Sequence, residues 1–323
     1  MKTKKIAIIL PAYNEELTIL DTIVDFNKAL PEAEVWVINN ASTDKTEQVA
    51  RDVFSSSGVK GGVLNEGRSG KGNAVRFGFS QVEADIYVLA DADMTYPAEQ
   101  VHQLIEPVVA GRADMVVGDR HSEGHYAAEN KRPLHGVGNS LVRALVNKLF
   151  KADLQDIMSG YRVFNRRFVK NYPILVAGFE IETDMTLHAL DKKFRIAELP
   201  INYKDRPDGS VSKLNTLTDG MRVLSTIANV LRHYRPMVFF GSAAIMLALL
   251  GLLAGYPVID EWVKVQYVTH VPLAILATGL VIASMVCGAI GLILDSIAFQ
   301  DRRSFERHLL SQTKASNLQQ DFD

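Results

Sequence analysis

The sequence predicts an α/β domain with a doubly wound sheet, followed by a short helix and a two-helix membrane hairpin. Three observations carry this. Short β-branched runs alternate with helical patterns through the first two thirds of the chain, the signature of strands layered against helices. Asp91-Ala92-Asp93 closes the apolar run Ile86-Tyr87-Val88-Leu89-Ala90, which reads as a buried strand with a polar end. Two later stretches, Met237 to Gly255 and Val271 to Leu294, contain no charged residue. Each exceeds the roughly 18 apolar residues of a spanning helix.

Taken in order, Lys5 to Leu10 reads as a strand ending in Pro11-Ala12-Tyr13-Asn14-Glu15-Glu16. A helix follows, with Leu17, Leu20, Ile23, Val24 and Phe26 as its expected apolar face. Val35 to Ile38 is a second strand, ending in Asn39-Asn40-Ala41-Ser42-Thr43-Asp44, where Ser42 or Thr43 can cap the next helix. Val59 to Leu64 leads into Gly67-Arg68-Ser69-Gly70-Lys71-Gly72 and a helix over 73–81. After the acidic strand, Asp114 to Gly118 continues the sheet. The stretch from Arg120 to Arg132 loses periodicity and gathers Arg120, His121, His125, Lys131 and Arg132, and long irregular connections of this kind usually carry function. Leu134 to Phe150 reads as an amphipathic helix and Ile196 to Tyr203 as a late strand.

Ligands of open α/β sheets bind beyond the carboxyl ends of the strands. Two carboxylates there, one residue apart, suit a hard divalent cation that shares its other sites with phosphates. A strand end with an Asp capping the helix after Pro97 is the plainer reading of the same residues. The glycine loop around Lys71 fits neither the dinucleotide fingerprint nor the P-loop. A lysine at a helix start can meet a phosphate, or can be a solvated side chain in a glycine turn.

Bulk composition narrows the classes. With 323 residues, 47% of them hydrophobic, the chain can bury a full core. A net charge of -2 argues against nucleic-acid binding. A single cysteine, Cys287, excludes an intramolecular disulfide framework and a cysteine zinc cluster. The apolar run after the basic amino end stops at Pro11, too short for a signal peptide, so the first domain is expected in the cytoplasm. Arg222, Arg232 and Arg235 precede the two charge-free stretches, and Arg302, Arg303 and Arg307 follow them. The positive-inside bias then places both ends of the hairpin on the cytoplasmic side. Leu214, Leu217, Met221, Leu224, Ile227, Ala228 and Leu231 share one helical face, as expected of a helix in the membrane interface or of one packed on the soluble domain. Basic residues outnumber acidic ones between Lys192 and Arg235, which suits anionic headgroups or a lipid phosphate. Gly251 and Gly255 form a small-residue pair that can pack the spans or join protomers. The expected divisions are 1–212, 213–235, 236–295 and a cytoplasmic tail over 296–323, polar and frayed from Ser304.

Pro11-Ala12-Tyr13-Asn14-Glu15-Glu16, Asn39-Asn40-Ala41-Ser42-Thr43-Asp44, Gly70-Lys71-Gly72-Asn73-Ala74, Asp91-Ala92-Asp93 and Ser159-Gly160-Tyr161-Arg162 together resemble the family-2 glycosyltransferases. The best match is the polyprenyl-phosphate branch, which includes dolichol-phosphate mannose and glucose synthases. The resemblance covers roughly residues 4 to 235. It implies an A-type glycosyltransferase fold, a UDP- or GDP-linked sugar donor, Mg²⁺ or Mn²⁺, and a polyprenyl-phosphate acceptor, with inversion at the anomeric carbon. Pro11, Ala12, Tyr13 and Glu15 would line the nucleotide and Asn40 would lie near its base. Lys71, Asp91, Ala92 and Asp93 would meet the diphosphate, with Asp91 and Asp93 holding the metal. Arg120, Lys131 or Arg132, Arg206, Ser212 and Lys213 would face the lipid phosphate, which makes Asp93, Arg120 and Arg206 the expected catalytic residues.

Departures from the family pattern set the limits. The family usually has Asp where this chain has Asn39 and Asn40, which leaves the base preference open. Mannose synthases often carry Gln at the position of Thr95, which leaves a third metal ligand open. The processive signature Gln-x-x-Arg-Trp is absent. An ionised phosphate nucleophile needs no strong base, so Glu180, Glu182 and Asp184 read as orienting or capping groups as readily as proton acceptors. A family member using another lipid-linked acceptor would need such a base. A silent nucleotide-sugar-binding scaffold is the remaining alternative.

Overall fold

The computed structural model describes residues 4–121, 133–178, 180–204 and 219–320. The chain divides into two compact units, Met1–Leu217 and Thr218–Asp323.

The first unit is a seven-stranded sheet of order β3-β2-β1-β4-β6-β5-β7. Its strands are β1 (Ile6–Ala12), β2 (Glu34–Asn39), β3 (Gly61–Asn65), β4 (Ile86–Leu89), β5 (Met115–Asp119), β6 (Arg162–Asn165) and β7 (Ile196–Pro200). Helices α1 (Ile19–Ala29), α2 (Thr46–Ser57), α3 (Lys71–Gln81) and α4 (Val101–Val109) alternate with the first five strands. Then come α5 (Pro133–Phe150), α6 (Arg166–Asn171) and α7 (Ile181–Asp191). β1 pairs in parallel with β2 and β4, and β2 with β3. The parallel run is broken once, because β6 is antiparallel to both β4 and β5. All four residues of β4 and all five of β5 are buried, as expected where helices cover both faces of a sheet.

Several expectations shift. The core face of α1 is Ile19, Ile23 and Phe26, while Leu17, Leu20 and Val24 are exposed. Leu17 precedes the helix, so the stripe at i, i+4, i+7 starts from Ile19 and not from Leu17. β3 starts at Gly61, whose φ is +122° and whose position against the Val35 carbonyl leaves no room for a Cβ. β7 stops at Pro200, where its partner β5 also ends, at Asp119.

The second unit consists of α8 (Asp219–Tyr234), α9 (Pro236–Val265) and α10 (Val271–Gln320). Two segments, Pro236–Val265 and Val271–Gln312, are long and apolar enough to cross a membrane, and only 6% of each apolar window is buried. That exposure separates them from core helices of a water-soluble body. They pack on each other through small residues. A Cβ at Gly251 would lie 2.9 Å from a Val281 methyl, and one at Gly291 3.1 Å from Phe240 Cβ. The Ser284 hydroxyl donates to the Ala244 carbonyl at 2.8 Å. Glycines between the spans let the helices approach closely, as in lipid-embedded pairs. The stretch expected to fray from Ser304 is instead helical through Gln320. It contains no Gly or Pro to stop the helix.

Candidate active site

The carboxyl ends of β1, β2 and β4 bring three loops together. After β1 the chain turns at Asn14, with φ 54°. Its backbone N–H donates to the Ser42 hydroxyl at 3.1 Å, and its side-chain oxygen accepts from the Thr43 N–H at 2.8 Å. The Glu15 N–H donates to the Thr46 hydroxyl at 2.8 Å. The loops after β1 and β2 are thereby locked, with Ala12 buried and Tyr13 39% exposed. Asn40, buried at 3% exposure, donates its side-chain N–H to the Arg68 carbonyl at 2.6 Å. Its side-chain oxygen accepts from the Gly70 N–H at 2.7 Å. The amide therefore shapes the glycine loop.

That loop delivers Lys71 to the acidic pair. The Lys71 ammonium contacts Asp91 Oδ1 and lies 2.5 Å from Glu182 Oε1 of α7. Burial works against the charge, but the Asp91 and Glu182 carboxylates outweigh it and raise the lysine pKa. Asp93 is buried at 2% exposure and accepts from the Thr95 N–H at 3.2 Å and the Thr95 hydroxyl at 2.5 Å. The Ala92 carbonyl accepts from the Thr18 hydroxyl at 2.8 Å. Gly160 packs over this group, where a Cβ would lie 3.0 Å from Lys71 Nζ and 3.1 Å from Asp91 Oδ2. Its N–H donates to the Tyr96 hydroxyl at 2.8 Å.

On the far side Arg120 is gripped by Asp156, with Nε to Oδ2 at 2.7 Å and a second bond at 3.0 Å. Burial would raise the Asp156 pKa, but the guanidinium overcomes it and holds the carboxyl below the usual range. The Arg120 guanidinium also lies 5.5 Å from the centre of the Tyr203 ring. Burial, reinforced by Asp93, pushes the Tyr203 hydroxyl pKa up. Behind the loop, fully buried Arg162 donates to the carbonyls of Ser159 and Ile157 at 2.7 and 2.9 Å and to the Thr186 hydroxyl at 3.0 Å.

The geometry thus joins Lys71 to Asp91, two residues before Asp93, and sets Arg120 beside Tyr203, whose hydroxyl feels both Asp93 and Asp91. Lys131, Arg132, Arg206, Ser212 and Lys213 lie outside the described residues. Glu182 and Asp184 orient neighbours: Glu182 holds Lys71, and Asp184 accepts from the Tyr172 hydroxyl at 2.6 Å. Sequence reasoning missed Tyr96, Asp156 and Tyr203. Asp156 begins the stretch that runs through Ser159-Gly160-Tyr161-Arg162, which was its one available signal. Among the described residues no group of three His, Cys, Asp or Glu side chains gathers to hold a metal. Asp91 and Asp93 offer two hard oxygen ligands, the number typical where phosphates and water supply the rest.

Residues 7–172 match the family described as Glycosyl transferase family 2. The chain belongs to this family. It is 30% identical to Glycosyltransferase AglJ of Haloferax volcanii over 94% of this chain and 96% of that one. It is 28% identical to the dolichol-phosphate mannosyltransferase of Pyrococcus furiosus over 73% of this chain and 65% of that one. Among solved structures, glucosyl-3-phosphoglycerate synthase of Mycobacterium tuberculosis shares the fold, with a TM-score of 0.54 and 22% identity over 71% of this chain and 79% of that one. This family-2 glycosyltransferase is therefore related to polyprenyl-phosphate sugar synthases and has an A-type catalytic unit.

Proposed function

We propose that this family-2 glycosyltransferase transfers one sugar from a UDP- or GDP-linked donor to a polyprenyl phosphate at the cytoplasmic face of a membrane. The observation that carries the reading is the charge pattern of the site. Glu182 is committed to Lys71, and Asp156 to Arg120. Acids that orient cations suit an acceptor that is already an anion. A phosphate monoester has a second pKa of about 6, so no proton need be removed near neutral pH. The mannosyltransferase relative and the exposed apolar hairpin point the same way.

In this reading Pro11, Ala12, Tyr13, Glu15 and Asn40 border the nucleotide. Mg²⁺ or Mn²⁺ held by Asp91 and Asp93 would neutralise the donor diphosphate and make it a better leaving group. Arg120, fixed by Asp156, would present its guanidinium to the acceptor phosphate, together with Arg206, Ser212, Lys213 and Lys131 or Arg132. Holding two anions in line is the main task of these groups. A phosphate oxygen bonds to the anomeric carbon as its bond to the diphosphate breaks, and the nucleoside diphosphate leaves with the electron pair. A single displacement inverts that centre. The hairpin would be a multi-pass anchor, with Asp219–Tyr234 as an interfacial helix.

The test supplies full-length protein in membranes with Mg²⁺ or Mn²⁺, a panel of nucleotide sugars and undecaprenyl phosphate, and weighs the extracted lipid. Asp93→Asn is expected to lower transfer by about a hundredfold or more; unchanged transfer would sink the metal assignment. Arg206→Ala is expected to abolish lipid glycosylation while nucleotide binding persists. Loss of nucleotide binding would move Arg206 to the donor side.

A further inference from the structure

Lys71 puts a protein cation where the proposed donor chemistry requires a metal ion. Its ammonium joins Asp91 to Glu182, and the lysine and glutamate side chains are 9% and 7% exposed. The backbone beneath it cannot retreat. Gly70 and Gly72 flank Lys71, and a Cβ at either would fall 2.2 Å from the carbonyl oxygen of Ala177 or Val176. The Gly72 N–H donates to the Ala177 carbonyl at 2.9 Å. With its Cα fixed and Gly160 closing the other side, the lysine can change partners only by swinging its side chain. Glu182 is ready to keep the charge if Asp91 lets go.

We propose that Lys71 is a displaceable internal counter-cation, which occupies Asp91 until a donor diphosphate arrives, so that metal and donor enter together. This rests on the metal-assisted reading above. A divalent cation arriving alone must take Asp91 from an ammonium that remains beside it on Glu182, and like charges repel strongly in a poorly hydrated site. A divalent cation bound to a dianionic diphosphate is neutral overall, so the same exchange adds no net charge. Glu182 is the positioning residue that receives the ammonium. Linkage follows: donor tightens metal binding, and metal tightens donor binding by the same factor.

The test is Mn²⁺ binding by the full-length protein in detergent, read from the electron paramagnetic resonance signal of free Mn²⁺, with and without UDP or GDP. Wild type is expected to bind weakly alone and tightly with the nucleotide. Lys71→Met is expected to lower the nucleotide-free Kd about tenfold or more and to shrink the nucleotide effect by a similar factor, within the usual range of site coupling. Lys71→Arg keeps the charge and should stay within about threefold of wild type. Should Lys71→Met not fold, Glu182→Gln carries the test: it leaves the ammonium to Asp91 alone and should raise the nucleotide-free Kd. An unchanged Kd in Lys71→Met or in Glu182→Gln, or equal shifts in Lys71→Met and Lys71→Arg, overturns the counter-cation role while nucleotide-supported binding persists. Absence of nucleotide-supported Mn²⁺ binding in wild type and Lys71→Met alike overturns the metal-assisted reading, and this inference with it.

Discussion

The Asn40 amide donates to the Arg68 and Glu66 carbonyls and accepts from the Gly70 N–H, all from a nearly buried position. A carboxylate there could accept but not donate, and would set its charge against two carbonyl oxygens. The departure from the family's usual Asp thus has a local cause in the loop that carries Lys71. Asn40→Asp is expected to destabilise the protein by about 1–3 kcal/mol and to weaken donor binding. A thermal melt and nucleotide titration matching wild type would show that the amide does not hold the loop. Asp156 allows a pH test. Its folded pKa is depressed, so its contribution is complete above its unfolded value and is lost as pH falls through the lower folded value. The stability gap between wild type and Asp156→Asn should therefore be constant near neutral pH and narrow below about pH 4. A gap that widens in acid would contradict the Arg120–Asp156 pairing.

At the scale of elements, legibility followed length and local chemistry. β4 and its acidic pair were readable because an apolar run ended abruptly in charge. β6 was not, because it has four residues and opens with Arg162, a cation that lone-sequence reasoning assigns to the surface. Its burial becomes intelligible only with the Ile157 and Ser159 carbonyls and Thr186 in place, since a buried charge needs such partners. Arg120 was readable as a basic residue after a strand, but its clamp, Asp156, lies 36 positions along the chain. The two loop glycines make a contrasting pair. Gly72→Ala would drive a Cβ into the Val176 carbonyl and is expected to cost about 2 kcal/mol or more, by forced backbone movement. At Gly160 the nearest neighbours of an added Cβ are side-chain tips, the Lys71 ammonium, the Asp91 carboxylate and the Tyr96 hydroxyl, at 3.0 to 3.2 Å. Gly160→Ala should spare the melting temperature and lower turnover by displacing the ammonium. Equal melting losses for the two variants would show that Gly160 is held by the fold and not by the site.

At the scale of the whole molecule, the first unit carries the site residues and the second carries the apolar surface. The spans expose Leu249, Leu253, Ile275 and Ile293 while Gly251, Gly255 and Gly291 each face side chains of the opposite span, the arrangement of a pair solvated by lipid. A basic patch could also bring the protein to an anionic membrane, but salt would screen that attraction, whereas apolar burial resists salt. The full chain should therefore stay with membranes through a high-salt wash and leave only with detergent. A chain ending at Leu217, where the first unit ends, should remain in the supernatant and still bind nucleotide. Under the proposed function, loss of the hairpin removes the high effective concentration of a polyprenyl-phosphate acceptor, and transfer to it in membranes should fall about a hundredfold or more. Release of the full chain by salt alone would contradict the hairpin as anchor. Undiminished transfer by the shortened chain would instead mean that the first unit finds the lipid by itself, which would move the membrane contact onto its own surface.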